Sequence, residues 1–427
     1  MYIKRDYSQP FFGSRKRRRG SNALRSIVIF AAFIGVFLFF VNAQFDRLQL
    51  VALDAVGMAP TPTPFASTLA TQGYELFLSG DVPGAQELFR QAVTQQPDDP
   101  NYLYEYGRIM MENLLSNGAG QDYTPVITIA DQIIEGAPND PRGYALKARA
   151  LVFNDDAATA IPIGINGLEV NANFGPLYAA LGLAYNDIGR YQQAVFHAER
   201  GLELDPNNPS VHRDYANVLL FLGRYDEAID QLEQAVALAP NLVSLRFELA
   251  AFYSARNLDE ESVATYESIL ALQPRNARAM VRLCGVYLKV GRRDQARGYC
   301  EDAVQIAPEN PSAWQQLGDV YFRNRNYEGA IDAFDRCREF DDTGAGFLIQ
   351  CWYVRGLAHY YLGDCNEAWT DLTDALRILA DAGETTGPVV DSARDGLRLT
   401  AAACPGFSAE GIPTTAPPIV IPTPIGG

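Results

Sequence analysis

The sequence predicts an all-α fold: a solenoid of helix–turn–helix units, closed by a C-terminal capping helix and preceded by one transmembrane helix. Three observations carry this. Pro206, Pro240, Pro274 and Pro308 recur every 34 residues. Two series of small residues keep the same period: Gly182, Ala216, Ala250, Cys284 and Gly318, then Ala194, Ala228, Ser262, Ala296 and Ala330. A basic run, Arg15–Arg19, precedes an uncharged apolar run at residues 26–41. A fixed period of this length marks a repeat architecture, in which each unit buries its apolar face against the next. Small residues at fixed offsets let two antiparallel helices cross closely, and the periodic proline stops the second helix of each unit.

The elements follow in chain order. Residues 1–25 hold eight of the 35 basic and one of the 51 acidic residues. The remainder therefore carries a net charge of −23, which repels nucleic-acid backbones and excludes that class of partner. Residues 26–43 are the predicted transmembrane helix or signal anchor. Its 16-residue uncharged core, Ser26–Val41, spans roughly 24 Å, and neighbouring apolar residues with snorkelling Arg25 and Arg47 complete the crossing. The basic flank predicts a cytoplasmic N-terminus and an extracytoplasmic body, in a single-pass protein of the cytoplasmic membrane. Val41, Asn42 and Ala43 also leave small residues at signal-peptidase spacing, so cleavage after Ala43 and secretion is the alternative. Residues 44–65 are a juxtamembrane segment and a Thr/Pro linker, APTPTPF, of polyproline character.

Nine units follow over residues 66–382: 66–99, 100–140, 141–174, 175–208, 209–242, 243–276, 277–310, 311–344 and 349–382. Gly80, Gly189, Gly223, Gly291 and Gly363 end first helices at the mid-unit turn. The second unit carries an insertion near residues 116–123, and the third has lost most of the periodic residues. Residues 383–404 form the capping helix, with Val390, Ala393, Leu397 and Ala401 on one face and Asp391, Arg394, Asp395 and Arg398 away from it. Residues 405–427 are a Pro/Thr-rich tail with no means of packing a core.

Within residues 311–334, Trp314, Leu317, Gly318, Tyr321, Ala330 and Phe334 stand in the order W-x2-L-G-x2-Y…A-x3-F. This resembles the tetratricopeptide repeat family, as do Gly189–Asn208 and Gly223–Asn241. The resemblance implies a right-handed superhelical solenoid. It also implies a binding function, with stacked first helices lining an inner groove for extended peptides or partner helices. Some family members hold a peptide's C-terminal carboxylate with basic and Asn side chains. The matching positions are Arg213 and Asn217, then Glu248, then Arg278 and Arg282. Glu248 breaks the pattern and is expected to pair with Arg213 or Arg282; an ion-pair ladder across helices is the simpler expectation for the set. Aromatic residues expected on first-helix faces are Tyr74, Phe77, Tyr104, Phe247, Phe322, Tyr353 and Tyr360, some packing and some lining the groove.

Catalysis is not expected. His197, His212 and His359 are the only histidines, and none stands in a metal-ligand arrangement. No phosphate-binding glycine loop and no G-x-S-x-G elbow occurs. The predicted partners are therefore other proteins or peptides, and the membrane through the N-terminal helix, with no cofactor, metal or small-molecule substrate. The six cysteines lack the close pairs of a zinc or C-x-x-C site. On the family's repeat geometry in an exported chain, the expected pairs are Cys284–Cys300, Cys337–Cys351 and Cys365–Cys404. Six buried thiols are the alternative.

Overall fold

A computed structural model describes residues 65–118, 120–341, 348–410 and 412. The chain divides into two units, Met1–Phe65 and Ala66–Gly427, and every described helix belongs to the second. The predicted transmembrane helix at 26–43, the linker before Phe65 and the tail beyond Ile412 lie outside the described residues. No described helix is long and apolar enough to cross a membrane.

Nineteen helices and no strand occur among the described residues. They alternate as hairpins: α1 Ala66–Ser79, α2 Val82–Gln95, α3 Pro100–Asn117, α4 Thr124–Gly136, α5 Pro141–Phe153, α6 Ala157–Val170, α7 Gly175–Asp187, α8 Tyr191–Leu204, α9 Pro209–Phe221 and α10 Tyr225–Leu238. Then come α11 Val243–Ala255, α12 Asp259–Leu272, α13 Ala277–Lys289, α14 Arg293–Ile306, α15 Pro311–Arg323, α16 Tyr327–Phe340, α17 Gln350–Leu362, α18 Cys365–Asp381 and α19 Pro388–Ala403. The boundaries have local causes. Asp99, Asp140, Asn208 and Asn310 accept N-terminal backbone N–H groups of α3, α5, α9 and α15, and each is followed by proline at the first helical position. Where α15 crosses α16, there is room only for hydrogen. A Cβ on Gly318 would lie 2.5 Å from the Phe334 ring.

Gly80, Gly189, Gly223, Gly291 and Gly363 turn the hairpins with positive φ. Three further hairpin turns hide from a search for glycine, because Asp155, Asn257 and Arg325 adopt the same left-handed backbone at φ 59°, 57° and 60°. Asn and Asp tolerate that conformation; arginine gains nothing from it. Arg325→Gly is expected to stabilise the chain by about 1 kcal/mol, read as a higher denaturant midpoint at unchanged slope.

Two segments depart from the periodic pattern. The insertion of the second unit lengthens its first helix: α3 has 18 residues where α5, α7 and α9 have 13. The third unit, though poor in signature residues, still forms the hairpin α5–α6, with Gly164 and Gly167 pressed against Leu181 and Leu177. In the cap, Val390, Ala393 and Leu397 are buried against α17 and α18. Asp395, expected away from the apolar face, is buried as well and bonds to Arg398. Burial here follows the neighbouring helices rather than the stripe alone.

The chain does not contact only its neighbours. The first two units fold back on the fifth and sixth. Phe77, Val82, Phe89 and Ile109 share one buried apolar cluster with Ala235, Leu242 and Leu245. Asn241 Nδ2 donates to the Leu78 carbonyl at 2.8 Å, and a Cβ on Gly80 would meet the Asn241 carbonyl at 2.6 Å.

Candidate functional site

First helices carry the inner surface, and the fold-back divides it in two. In the N-terminal half, side chains from four helices meet in a buried charged network. Arg213 of α9 is 1% exposed and Glu112 of α3 is 2% exposed. Arg213 Nη1 donates to both Glu112 oxygens at 2.7 and 3.0 Å, and Nη2 donates to Ser244 Oγ of α11 at 2.7 Å. Ser244 Oγ in turn donates to Glu112 at 3.1 Å. Glu248 lies 3.2 Å from Arg213 Nε. Arg149 of α5 holds Asp214 with bonds of 2.9 to 3.1 Å. Burial alone would raise the Glu112 carboxyl, but Arg213 and Arg149 outweigh it and hold it below the ordinary carboxylate value. For Asp214 and Glu248 burial wins over the arginines, and both are raised.

The carboxylate-binding positions read from the sequence therefore divide. Arg213 is committed to Glu112 and Glu248. Arg278 of α13 donates to the Ser116 carbonyl at the C-terminal end of α3, at 2.5 Å, with its guanidinium 4.2 Å over the Phe247 ring. Asn217 is half-buried on α9, and Arg282 is exposed. Among the described residues Arg282 forms no ion pair. Glu112, Ser244, Arg149 and Asp214 were not singled out from the sequence. The network's central ion pair, Arg213 with Glu112, joins residues 101 apart, which no 34-residue pattern signals.

C-terminal to the network, an open half is marked by a cavity on α11, α12, α13 and α15. This cavity of about 350 Å³ is lined by Tyr266, Arg282, Gly285, Lys289 and Gln316 among others. Lys289 is tied to Asp259 at 2.8 Å and to Asn257 at 2.9 Å, which leaves Arg282 as the free cation there among the described residues. On α15, burial pushes the Asp319 carboxyl up to about 6, against Arg323 and a bond from Gln315 that pull it down. The aromatic residues sort by position. Phe77 and Phe247 are buried, Tyr104 and half-exposed Tyr74 line a cavity of about 450 Å³ beside the charged network, and Phe322, Tyr353 and Tyr360 are partly buried. Phe322 packs 5.6 Å from Tyr327, which stacks on Tyr361 at 4.8 Å.

A raised acid has a definite linkage sign. Asp319 ionises more easily in the unfolded chain, so its contribution is fully present below about pH 4 and is lost as pH rises through about 6. Asp319→Asn is expected to stabilise the chain by about 2 kcal/mol at pH 7.5 and by nothing below pH 4; denaturant midpoints at the two pH values check this.

Disulfides brace the open half. Cys284 of α13 is joined to Cys300 of α14, Cys337 of α16 to Cys351 of α17, and Cys365 of α18 to Cys404 after α19, with Cα–Cα distances of 5.5, 6.2 and 6.0 Å. No cluster of three or more His, Cys, Asp or Glu suited to a metal ion occurs among the described residues.

Comparison with known proteins agrees with the hairpin architecture. Models of the tetratricopeptide repeat match residues 187–246, 251–311 and 285–345, so the chain contains tetratricopeptide repeats. Small glutamine-rich tetratricopeptide repeat-containing protein 2 of Mycosarcoma maydis is 31% identical over 98 residues, which is 23% of this chain and 28% of that protein. Among solved structures, the Cut9–Hcn1 hetero-tetramer of APC/C is similar at TM-score 0.48 and 15% identity, over 78% of this chain and 76% of that one. YrrB, described as a tetratricopeptide protein with an unusual peptide-binding site, is similar at TM-score 0.34 and 21% identity, over 43% of this chain and 95% of its own.

Proposed function

We propose that the chain is a non-enzymatic interaction scaffold, anchored in the cytoplasmic membrane by residues 26–43 with its repeats outside the cytoplasm. The observation that carries the binding role is the open cavity bordered by α11, α12, α13 and α15. There Arg282 stands exposed, on a helix cross-linked to its hairpin partner through Cys284–Cys300. Tetratricopeptide repeats serve generally as protein-interaction scaffolds, which supports the same reading. The topology rests on the basic flank before residue 26 and on the pairing of all six cysteines, an arrangement suited to an oxidising compartment. The partner is a protein or peptide, and the acidic body disfavours nucleic acid.

Intact mass and surface labelling test the anchor and its orientation. A chain that retains residues 1–43, and whose repeats react with a membrane-impermeant reagent on intact cells, supports the proposal. Labelling only after lysis overturns the topology. Loss of residues 1–43 with release into the medium replaces the anchor with a secreted binding protein. A partner that builds the cell envelope would make the scaffold an accessory subunit of that machinery.

A further inference from the structure

The seam between the sixth and seventh units contains its own cation. Lys289, the last residue of α13, donates through Nζ to the Ser254 carbonyl of α11 at 3.2 Å, to Asn257 Oδ1 at 2.9 Å and to Asp259 Oδ1 at 2.8 Å. Asn257 is the residue of the left-handed turn between α11 and α12, at φ 57°. The ammonium therefore ties a hairpin turn to the end of the next first helix. It also sits against the negative end of α11.

Three periods earlier, at the seam between the third and fourth units, the charge is reversed. Asp155 takes the left-handed turn position of Asn257, at φ 59°. Asp187, the last residue of α7, stands where Lys289 stands on α13. The two aspartates share a cavity of about 490 Å³ with Asn186, Tyr191 and Phe221, and none of the residues lining it is basic. The last turns of α5, α7 and α9 hold no basic residue either, so nothing on those helices offsets their negative ends. Burial pushes the Asp187 carboxyl up, against a bond from the Asn186 side chain, and the Asp155 charge adds to the rise. Both carboxylates are exposed at the surface, where an ion from solvent reaches them. Asp156 is engaged elsewhere, since it caps α6 by accepting from the Thr159 N–H at 3.2 Å.

Asn186 adds an observation independent of the charges. It lines the same cavity and is 4% exposed, and its Oδ1 has no hydrogen-bond partner among the described residues. A buried amide oxygen left without a donor is costly, and a bound cation gives it a partner.

We propose that the seam between the α5–α6 turn and the end of α7 is a calcium site, with Asp155, Asp187 and the Asn186 amide oxygen as protein ligands and water completing the shell. An all-oxygen donor set selects a hard cation, and two carboxylates balance a double positive charge. An irregular set drawn from a turn and a helix end suits Ca²⁺, whereas Mg²⁺ demands a near-ideal octahedron. With so few charged ligands, the affinity belongs on the order of 10⁻⁴–10⁻³ M. The ion does for the third and fourth units what Lys289 does for the sixth and seventh. The sequence carried no expectation of a metal, because Asp155 and Asp187 stand in different units with no ligand spacing between them. The site goes beyond the scaffold reading and does not rest on it.

Terbium luminescence on the full chain tests the site. Tb³⁺ takes calcium ligands and emits when excited through a nearby tyrosine, and Tyr191 lines the cavity. Sensitised emission is expected, displaced by Ca²⁺ on the order of 10⁻⁴–10⁻³ M and at least about tenfold less well by Mg²⁺. Asp155→Asn and Asp187→Asn are each expected to weaken Tb³⁺ binding about tenfold or more. Asp187→Lys installs the ammonium that the other seam already has. It is expected to abolish the bound-Tb³⁺ signal and to give the same urea midpoint in Ca²⁺ and in EDTA. In the wild type, Ca²⁺ at about ten times its dissociation constant is expected to favour the folded chain about tenfold over EDTA, raising the midpoint. Unchanged Tb³⁺ affinity in all three variants places the ion elsewhere on the acidic surface and overturns the proposal. Equal wild-type midpoints in Ca²⁺ and EDTA overturn it too, as does displacement by Mg²⁺ as effective as by Ca²⁺.

Discussion

Arg213→Met is expected to destabilise the chain by about 3–5 kcal/mol, the largest effect of any single polar substitution considered for the inner surface. The size comes from what the substitution leaves behind. Glu112 is 2% exposed and loses its main counter-charge, retaining Ser244 and a 4.0 Å approach from Arg149. Glu248 loses its ion-pair partner at 3.2 Å. Adding Glu112→Gln to Arg213→Met is expected to recover much of the loss, because the stranded carboxylate is then gone. The pH dependence follows from Glu112. Its carboxyl is held low in the folded chain, so its contribution is present above the ordinary glutamate value and disappears as pH falls through the depressed one. Urea midpoints for the four members of the cycle measure the coupling directly. Single-variant losses that simply add would contradict the network.

Breaking any one of the disulfides is expected to cost nearly as much. In the chain-entropy account, the loops closed by Cys284–Cys300 and Cys337–Cys351, with separations of 16 and 14, contribute about 3 kcal/mol each. Cys365–Cys404, with a separation of 39, contributes about 4 kcal/mol. Their loss is local in a repeat array, where each unit leans on its neighbours. Reductant is therefore expected to expose α17, α18 and α19 to proteolysis first, while the first five units hold. Identical cleavage patterns with and without reductant would count against the braces, as would six freely alkylated thiols in native protein.

The repeat and the inner closure were unequally legible in the sequence. Periodic prolines, small crossing residues and Asp-Pro or Asn-Pro caps are local signals, and each recurs at a fixed offset, so one unit teaches the reader the next. The Cys284 to Cys300 spacing spans one hairpin and is of the same kind. The charged network is not. Arg213 and Glu112 are separated by 101 residues, Asn241 and Leu78 by 163, and nothing in either neighbourhood marks the other. Glu112 stands in an apolar run, YLYEYGRIMMENLL, where an acidic residue invites the question of a buried partner, but the sequence offers no means of choosing Arg213. Arg213 itself was singled out as a carboxylate binder, and its chemistry was readable even though its occupant was not. The glycine-free turns at Asp155, Asn257 and Arg325 failed for a smaller reason: the stacked hairpins impose the left-handed turn whatever residue stands there.

The central claim is that partners bind the open inner surface rather than the outer helices. A photo-crosslinking residue in place of Arg282 on α13 tests this in cells, with a second at Arg200 on the outer helix α8 as the comparison. The account predicts a discrete protein adduct from position 282, absent at position 200 and lost when α13 is kept but the partner is competed by excess repeat domain. Adducts from position 200 alone, or the same adducts from both, would contradict it.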